Sequence, residues 1–227
     1  MEKITSIDFH AHVLPGADHG CKNNKMCVKQ LIMAKEHKVD IVIATPHFYP
    51  HVDSVASFLV KRKGAIKEYE RINGENLPKV LMGAEVLIWP GMDQMEDIDK
   101  LCVEGTNILL IEMPFSKHWE DALIETVINI NKKFKVVLAH VERYPIKQVE
   151  KLTSKGIDVQ LNAKSIHSIS KFGKCRYWMN TDKVVAIGSD IHGIANNYHY
   201  FEKVAKSHKG NAIMEKTNRL ISTNIRD

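Results

Sequence analysis

Histidine and carboxylate residues in this chain fall in short groups of similar shape. They are Asp8-Phe9-His10-Ala11-His12, Asp18-His19-Gly20, Thr45-Pro46-His47, Gly83-Ala84-Glu85, Ile111-Glu112-Met113-Pro114, His140-Val141-Glu142-Arg143 and Ser189-Asp190-Ile191-His192. Side chains alternate across a strand with period two, so His10 and His12 share one side of an extended segment, as do Asp8 with His10 and Asp190 with His192. Neutral imidazole and ionised carboxylate are ligands for zinc, manganese and iron, and a carboxylate can bridge two ions. Gathering so many ionisable groups in one apolar mouth is costly unless a cation sits among them. Each group also has a plainer reading. A single His-x-His, His47 or His140 is more often a hydrogen-bonded core histidine, and Glu85 or Glu112 the ion-pair partner of a buried lysine. What favours a shared metal site is that the groups recur at the same end of successive strands.

The elements that position them show as short apolar runs alternating with segments of helical periodicity. Runs at 4–9, 40–44, 79–87, 107–111, 135–139, 157–161 and 183–187 predict seven strands. They are rich in Val, Ile and Leu without strict polar alternation, as in parallel strands covered on both faces. Val28, Leu31 and Ile32 share a helical face, and further helices are predicted over 52–72, 119–131, 146–155, 164–180 and 198–206. This alternation implies an α/β fold, a distorted seven-stranded TIM-like barrel forming one domain over residues 1–227. In such a barrel the C-terminal strand ends share one face, where active sites are built. Strands one to five and strand seven each deliver a ligand type there, and strand six delivers Gln160 and Asn162. His37, His118, His167, His199 and His208 fall in helices or loops and are expected at the surface; His51 is left open.

Composition narrows the class. The chain is 44% hydrophobic and 26% charged, ordinary for a globular protein, and no run approaches the roughly 18 apolar residues of a membrane span. Residues 1–6 lack the shape of a secretory signal, so a cytoplasmic location is expected. Cys21, Cys27, Cys102 and Cys175 form no Cys-x-x-Cys pair and read as reduced thiols. Cys21 also lacks the arginine of a Cys-x5-Arg phosphate loop, because residue 27 is Cys, which argues against thiol catalysis. The net charge of +5 comes from scattered basic residues, as in Lys61-Arg62-Lys63, without the dense basic and aromatic surface of a nucleic-acid module. Arg143, three residues after His140, has the planar fork suited to bidentate contact with phosphate. The alternative for Arg143 is a structural ion pair with Glu142 or another nearby acid.

Taken in order from residue 8 to residue 192, these motifs resemble the polymerase and histidinol phosphatase (PHP) superfamily. The residues that carry the resemblance are Asp8-x-His10-x-His12, Thr45-Pro46-His47, Gly83-Ala84-Glu85, Glu112, His140-x-Glu142-Arg143-Tyr144, Gln160-x-Asn162 and Ser189-Asp190-x-His192. Leu14-Pro15-Gly16-Ala17-Asp18-His19-Gly20, Ala44-Thr45-Pro46-His47 and Ala139-His140-Val141-Glu142-Arg143-Tyr144 are most similar to the bacterial capsule and exopolysaccharide tyrosine phosphatases. The resemblance implies a distorted seven-stranded barrel with a centre of three metal ions, often manganese, with iron or zinc as alternatives. It assigns His10, His12, Glu85 and Asp190 to one ion, Glu85 as a bridge with Glu112 and His140 to a second, and His47, His192 and His19 to the third. Arg143 matches the arginine that contacts substrate phosphate. The implied activity is hydrolysis of phosphomonoesters by a metal-bridging hydroxide. The implied substrate is a phosphotyrosine protein, such as a capsule-regulating tyrosine kinase, or a small phosphomonoester. Competing readings are a histidinol-phosphate-like phosphatase, a phosphodiesterase, and a metal-binding scaffold without catalysis.

Two positions depart from that pattern. His19 stands where these phosphatases usually carry Asp, which lowers the negative charge of the third site by one. After His192 comes Gly193-Ile194-Ala195-Asn196-Asn197-Tyr198 in place of Asn followed by Arg-Pro-Pro, so a second phosphate-binding arginine is missing.

Overall fold

The computed structural model describes residues 4–72, 74 and 76–226; residues 1–3, which open the segment read as lacking a signal, lie outside them. Among the described residues are nine short strands: β1 (Ile7–Ala11), β2 (Ile41–Ala44), β3 (His47–Phe48), β4 (Lys79–Met82), β5 (Glu85–Leu87), β6 (Ile108–Glu112), β7 (Lys135–Leu138), β8 (Asp158–Asn162) and β9 (Val184–Gly188). All their ladders are parallel, and they form two sheets, β1-β2-β4 and β3-β5-β6-β7-β8-β9. The mixed α/β architecture with parallel strands is as expected. Where a distorted seven-stranded barrel was expected, the ladders form two sheets that do not close on each other.

The reason lies at two breaks level with each other. The expected strand over 79–87 is interrupted at Gly83-Ala84, giving β4 and β5, and Thr45-Pro46 separates β2 from β3. Proline has no N–H to donate to a ladder. The backbone still bridges the gap, with Gly83 N–H donating to Ala44 O at 2.8 Å and Glu85 N–H to Pro46 O at 3.1 Å. Beyond β9, Asp190 N–H donates to His10 O at 2.8 Å, so the end of the large sheet reaches the start of the small one.

Helices α1 (Asn24–Glu36), α2 (Val55–Glu70), α3 (Asp121–Asn131), α4 (Ile146–Thr153), α5 (Ala163–Ile166), α6 (Phe172–Met179), α7 (Tyr198–Ala205) and α8 (His208–Thr223) complete the fold. Asn23 and Ser54 cap α1 and α2 by accepting from the N–H groups of Met26 and Ser57. The helix expected over 164–180 is two, α5 and α6, parted at Ser168-Ile169-Ser170. Helix α8 was not anticipated. It docks by Ile213, Met214 and Leu220, while the Thr217 hydroxyl donates to Val185 O at 2.7 Å. One apolar cluster lies inside the strands around Phe9, Ile43, Leu110 and Val137, and a larger one fills the space among strands and helices. No helix among the described residues is long and apolar enough to cross a membrane.

Candidate metal centre

His10, His12, His19, His47, Glu85, Glu112, His140, Asp190 and His192 lie together at one end of the strands. Strand β1 carries His10 just before its last residue, Ala11, and is followed by His12; β3 begins at His47, β5 at Glu85, and β6 ends at Glu112. His140 follows β7, and Asp190 and His192 follow β9. The register pairs His47 with Glu85 and Leu87 with Glu112, which brings carboxylate and imidazole to neighbouring strands.

Glu85, 1% exposed, is the hub. Its Oε2 lies 3.2 Å from His10 Nε2, 3.3 Å from His12 Nε2 and 2.9 Å from His47 Nδ1, and its Oε1 lies 2.7 Å from His140 Nε2. His140 Nε2 is also 3.4 Å from Glu112 Oε1. Asp190 Oδ1 stands 3.7 Å from His10 Nε2, 3.6 Å from His12 Nε2 and 3.4 Å from His192 Nδ1. His19 is exposed, and its ring packs 5.0 Å from that of His47 and 4.7 Å from that of His192.

This donor set fits metal ions. Three imidazole nitrogens crowd Glu85 Oε2, yet neither it nor His47 Nδ1, both buried, has a partner with hydrogen-bond geometry. Buried polar atoms are seldom left so. Ligand atoms of His10, His12 and Glu85 lie within 4.8 Å of one another, as do those of His47, Glu85 and Glu112 and those of His12, His47 and His192. The electrostatics agree. Burial opposes charge on His12, but the Asp18 and Glu85 carboxylates beside it outweigh burial and push the imidazole up to about 10. Burial likewise opposes charge on His140, and Glu112 and Glu85 push it up to about 9. Burial would raise Glu85, but the surrounding histidines hold its carboxyl well below the usual range. Asp190 is similarly lowered, against burial, by His10 and Arg143. The carboxylates thus call for positive charge beside them. A divalent ion meets that demand and leaves the imidazoles neutral, their ligand form.

The residues around the ligands fix their rings. Asp18, though within a quoted motif, was given no role by sequence. Its Oδ2 lies 2.6 Å from His12 Nδ1, and the carboxylate accepts from the N–H groups of Gly20 and His47. This carboxylate–imidazole pair turns His12 Nε2 towards the centre. Gln160 Oε1 accepts from His140 N–H at 2.8 Å and lies 3.3 Å from His10 Nδ1. Gln30, on α1, donates to the carbonyls of His12, Gly20 and Gly193, tying the loops after β1 and β9 together. Asp8, buried, stays outside the ligand cluster and accepts from Ser189 N–H at 2.8 Å. A Cβ on Gly20 would fall 2.2 Å from His12 Cβ, and one on Gly188 would fall 2.6 Å from His10 Cβ, so glycine is needed for the loop after β1 to fold back on His12 and for β9 to approach β1. Two of the expected ligands lie in the left-handed backbone region, His140 with φ 33° and Asp190 with φ 47°. Such conformations in residues other than glycine collect at functional sites.

Arg143 ends a short 3-10 turn, Val141–Arg143, and pairs with Asp190 Oδ2, which also accepts from Asn162 Nδ2 at 2.7 Å. The ion pair that sequence left open therefore falls on a ligand 47 residues away rather than on adjacent Glu142. Arg143 remains 33% exposed in its side chain. Of the histidines expected at the surface, His118, His167, His199 and His208 are exposed, while His37 is half-buried and 2.7 Å from Glu202.

The role of Asp18 is directly measurable. Asp18→Asn is expected to weaken metal binding about 10- to 100-fold, the usual cost of losing such an orienting partner. Metal titration followed by calorimetry reads it; unchanged affinity would remove Asp18 from the site.

The family model described as "Capsular polysaccharide synthesis, CpsB/CapC" matches residues 6–227. The tyrosine-protein phosphatase CpsB of Streptococcus agalactiae serotype V is 21% identical over 204 residues, covering 83% of each chain. Among solved structures, the fold is similar to that in the crystal structures of YwqE from Bacillus subtilis and CpsB from Streptococcus pneumoniae, described as metal-dependent tyrosine phosphatases. That match has TM-score 0.79 and 21% identity, covering 97% of this chain and 96% of the other. Histidinol phosphate phosphatase from Lactococcus lactis subsp. lactis, complexed with zinc, L-histidinol and phosphate, matches with TM-score 0.56 and 12% identity over 95% and 94% of the two chains.

Proposed function

Because the chain belongs to the CpsB/CapC family of capsular polysaccharide synthesis, we propose that it is a metal-dependent protein-tyrosine phosphatase. The observation that carries this reading is Glu85, buried at the meeting point of four imidazoles, with Arg143 at the edge of the same cluster. We assign His10, His12, Glu85 and Asp190 to one ion, Glu85, Glu112 and His140 to a second, and His47, His192 and His19 to a third, with manganese as the metal. A bound ion supplies polarisation of phosphoryl oxygens and lowers the pKa of water from about 15.7 to about 7.

The chain's own residues do the rest. Asp18 and Gln160 hold the His12 and His10 rings in their orientations. Arg143 binds the equatorial phosphoryl oxygens through the N–H groups that Asp190 does not occupy, and opposes the charge that develops there. A phenolate leaves without a strong acid, so tyrosine esters suit a site to which no general acid is assigned. The substrate we favour is phosphotyrosine on a kinase that regulates capsule assembly. We read the two sheets as one distorted seven-stranded barrel of a single domain, supported by the bonds across the breaks and from Asp190 to His10. Four buried, unpaired thiols support a cytoplasmic setting.

Chelation is the test. Protein stripped of metal and verified by elemental analysis is expected to lose turnover of a phosphotyrosine peptide, and Mn²⁺ to restore it. Full turnover by verified metal-free protein would overturn the reading.

A further inference from the structure

The mouth of the centre is bordered by aromatic side chains that the ligand scheme leaves unused. Tyr49 follows β3, Trp89 follows β5 and Phe115 follows β6, three strands adjacent in one sheet. Phe115 is 69% exposed, an uncommon setting for a phenyl ring. It stands three residues beyond Glu112. Its ring lies 6.4 Å from that of His140 with only 11° between planes, 5.9 Å from that of Tyr144, and 5.9 Å from the guanidinium carbon of Arg143. The ring therefore lies beside both His140 and Arg143 while most of its surface stays open. The cation over its face also steadies the arginine fork.

We propose that Phe115 is the specificity-determining residue for aryl over alkyl phosphate esters, stacking on the ring of a substrate whose phosphate is held at Arg143. The inference rests on the phosphatase reading and deepens it. In an aryl ester the ring begins one oxygen away from phosphorus, so a phosphate at Arg143 brings the ring beside Phe115. A serine or glycerol ester offers no π-face there. Aromatic pairs favour offset or edge-on contact, and such contact discriminates without any new charge.

The experiment compares metal-loaded wild type, Phe115→Ala and Phe115→Trp on a phosphotyrosine peptide and on a phosphoserine peptide of otherwise identical sequence. Phe115→Ala is expected to lower the aryl-to-alkyl ratio of kcat/KM by about fivefold to tenfold, the worth of one aromatic contact, with the change in KM for the aryl peptide. Phe115→Trp is expected to keep the ratio. In parallel, calorimetry with phenylphosphonate and methylphosphonate reads ring binding without turnover, and Phe115→Ala is expected to lose the preference for phenylphosphonate. An unchanged ratio, or an equal loss on both peptides, would overturn the assignment. If wild type hydrolyses neither peptide, the phosphatase reading falls on its own, and the phosphonate preference still decides whether Phe115 reads a ring.

Discussion

Glu85→Ala is expected to bind fewer metal ions per chain than either wild type or His19→Ala, and to lose at least about 10³-fold in kcat/KM, some 4 kcal/mol of transition-state stabilisation. Glu85 is assigned to two ions at once, and both its oxygens are surrounded: one by His10, His12 and His47, the other by His140. Removing it leaves those imidazoles without the carboxylate that balances a bound cation. Exposed His19 reaches only the rings of His47 and His192 among the assigned ligands of its ion, and its removal is expected to cost the peripheral ion alone. Elemental analysis after dialysis against Mn²⁺ gives the stoichiometry. Glu85→Gln, which keeps the volume and loses the charge, is expected to resemble Glu85→Ala. A Glu85→Ala protein with the wild-type metal count would end the assignment of Glu85 as a bridge.

Arg143→Ala is expected to lower kcat on phosphotyrosine about 10²- to 10³-fold, as when one preorganised donor to a developing oxyanion is lost. The six residues directly after His192, Gly193–Tyr198, contain no second arginine to take its place. Metal content is expected to stay near wild type, because Asn162 Nδ2 still holds Asp190 at 2.7 Å once the guanidinium is gone. Arg143→Lys is expected to recover only part of the loss, since an ammonium keeps the charge without the bidentate fork. Steady-state kinetics beside metal analysis separates the two effects. Wild-type turnover in Arg143→Ala would make the arginine a structural partner of Asp190 and leave the phosphatase assignment on the metal ligands alone.

The clustering of the His and carboxylate residues was legible because a parallel α/β alternation fixes which end of each strand carries chemistry, and period two fixes which neighbours share a side. His10 with His12 needed no more than that. Other features depended on contacts that local pattern does not encode. The run over 79–87 reads as one strand, apolar but for Lys79 and Glu85, and only its pairing with Ala44 and Pro46 shows the break at Gly83-Ala84. Ile169 fits a helical period yet is 98% exposed, in the segment that parts α5 from α6. Helix α8 is mostly polar, and its few buried residues gain meaning only against β9. Asp18 stood within a quoted motif, but its role depends on how the loop after β1 folds back onto His12.

The left-handed backbone at His140 and Asp190 limits what those positions accept, apart from any chemistry. Asn, Asp, His and Gly enter that region most readily, while a β-branched or bulky side chain is penalised by about 1–2 kcal/mol. A library randomised at both positions and selected for folding alone would already be enriched in two of the commonest metal-binding residue types. Attempts to retune the centre for a softer metal by placing cysteine at 140 would meet a conformational barrier that the same change at Glu112, inside a regular strand, would not.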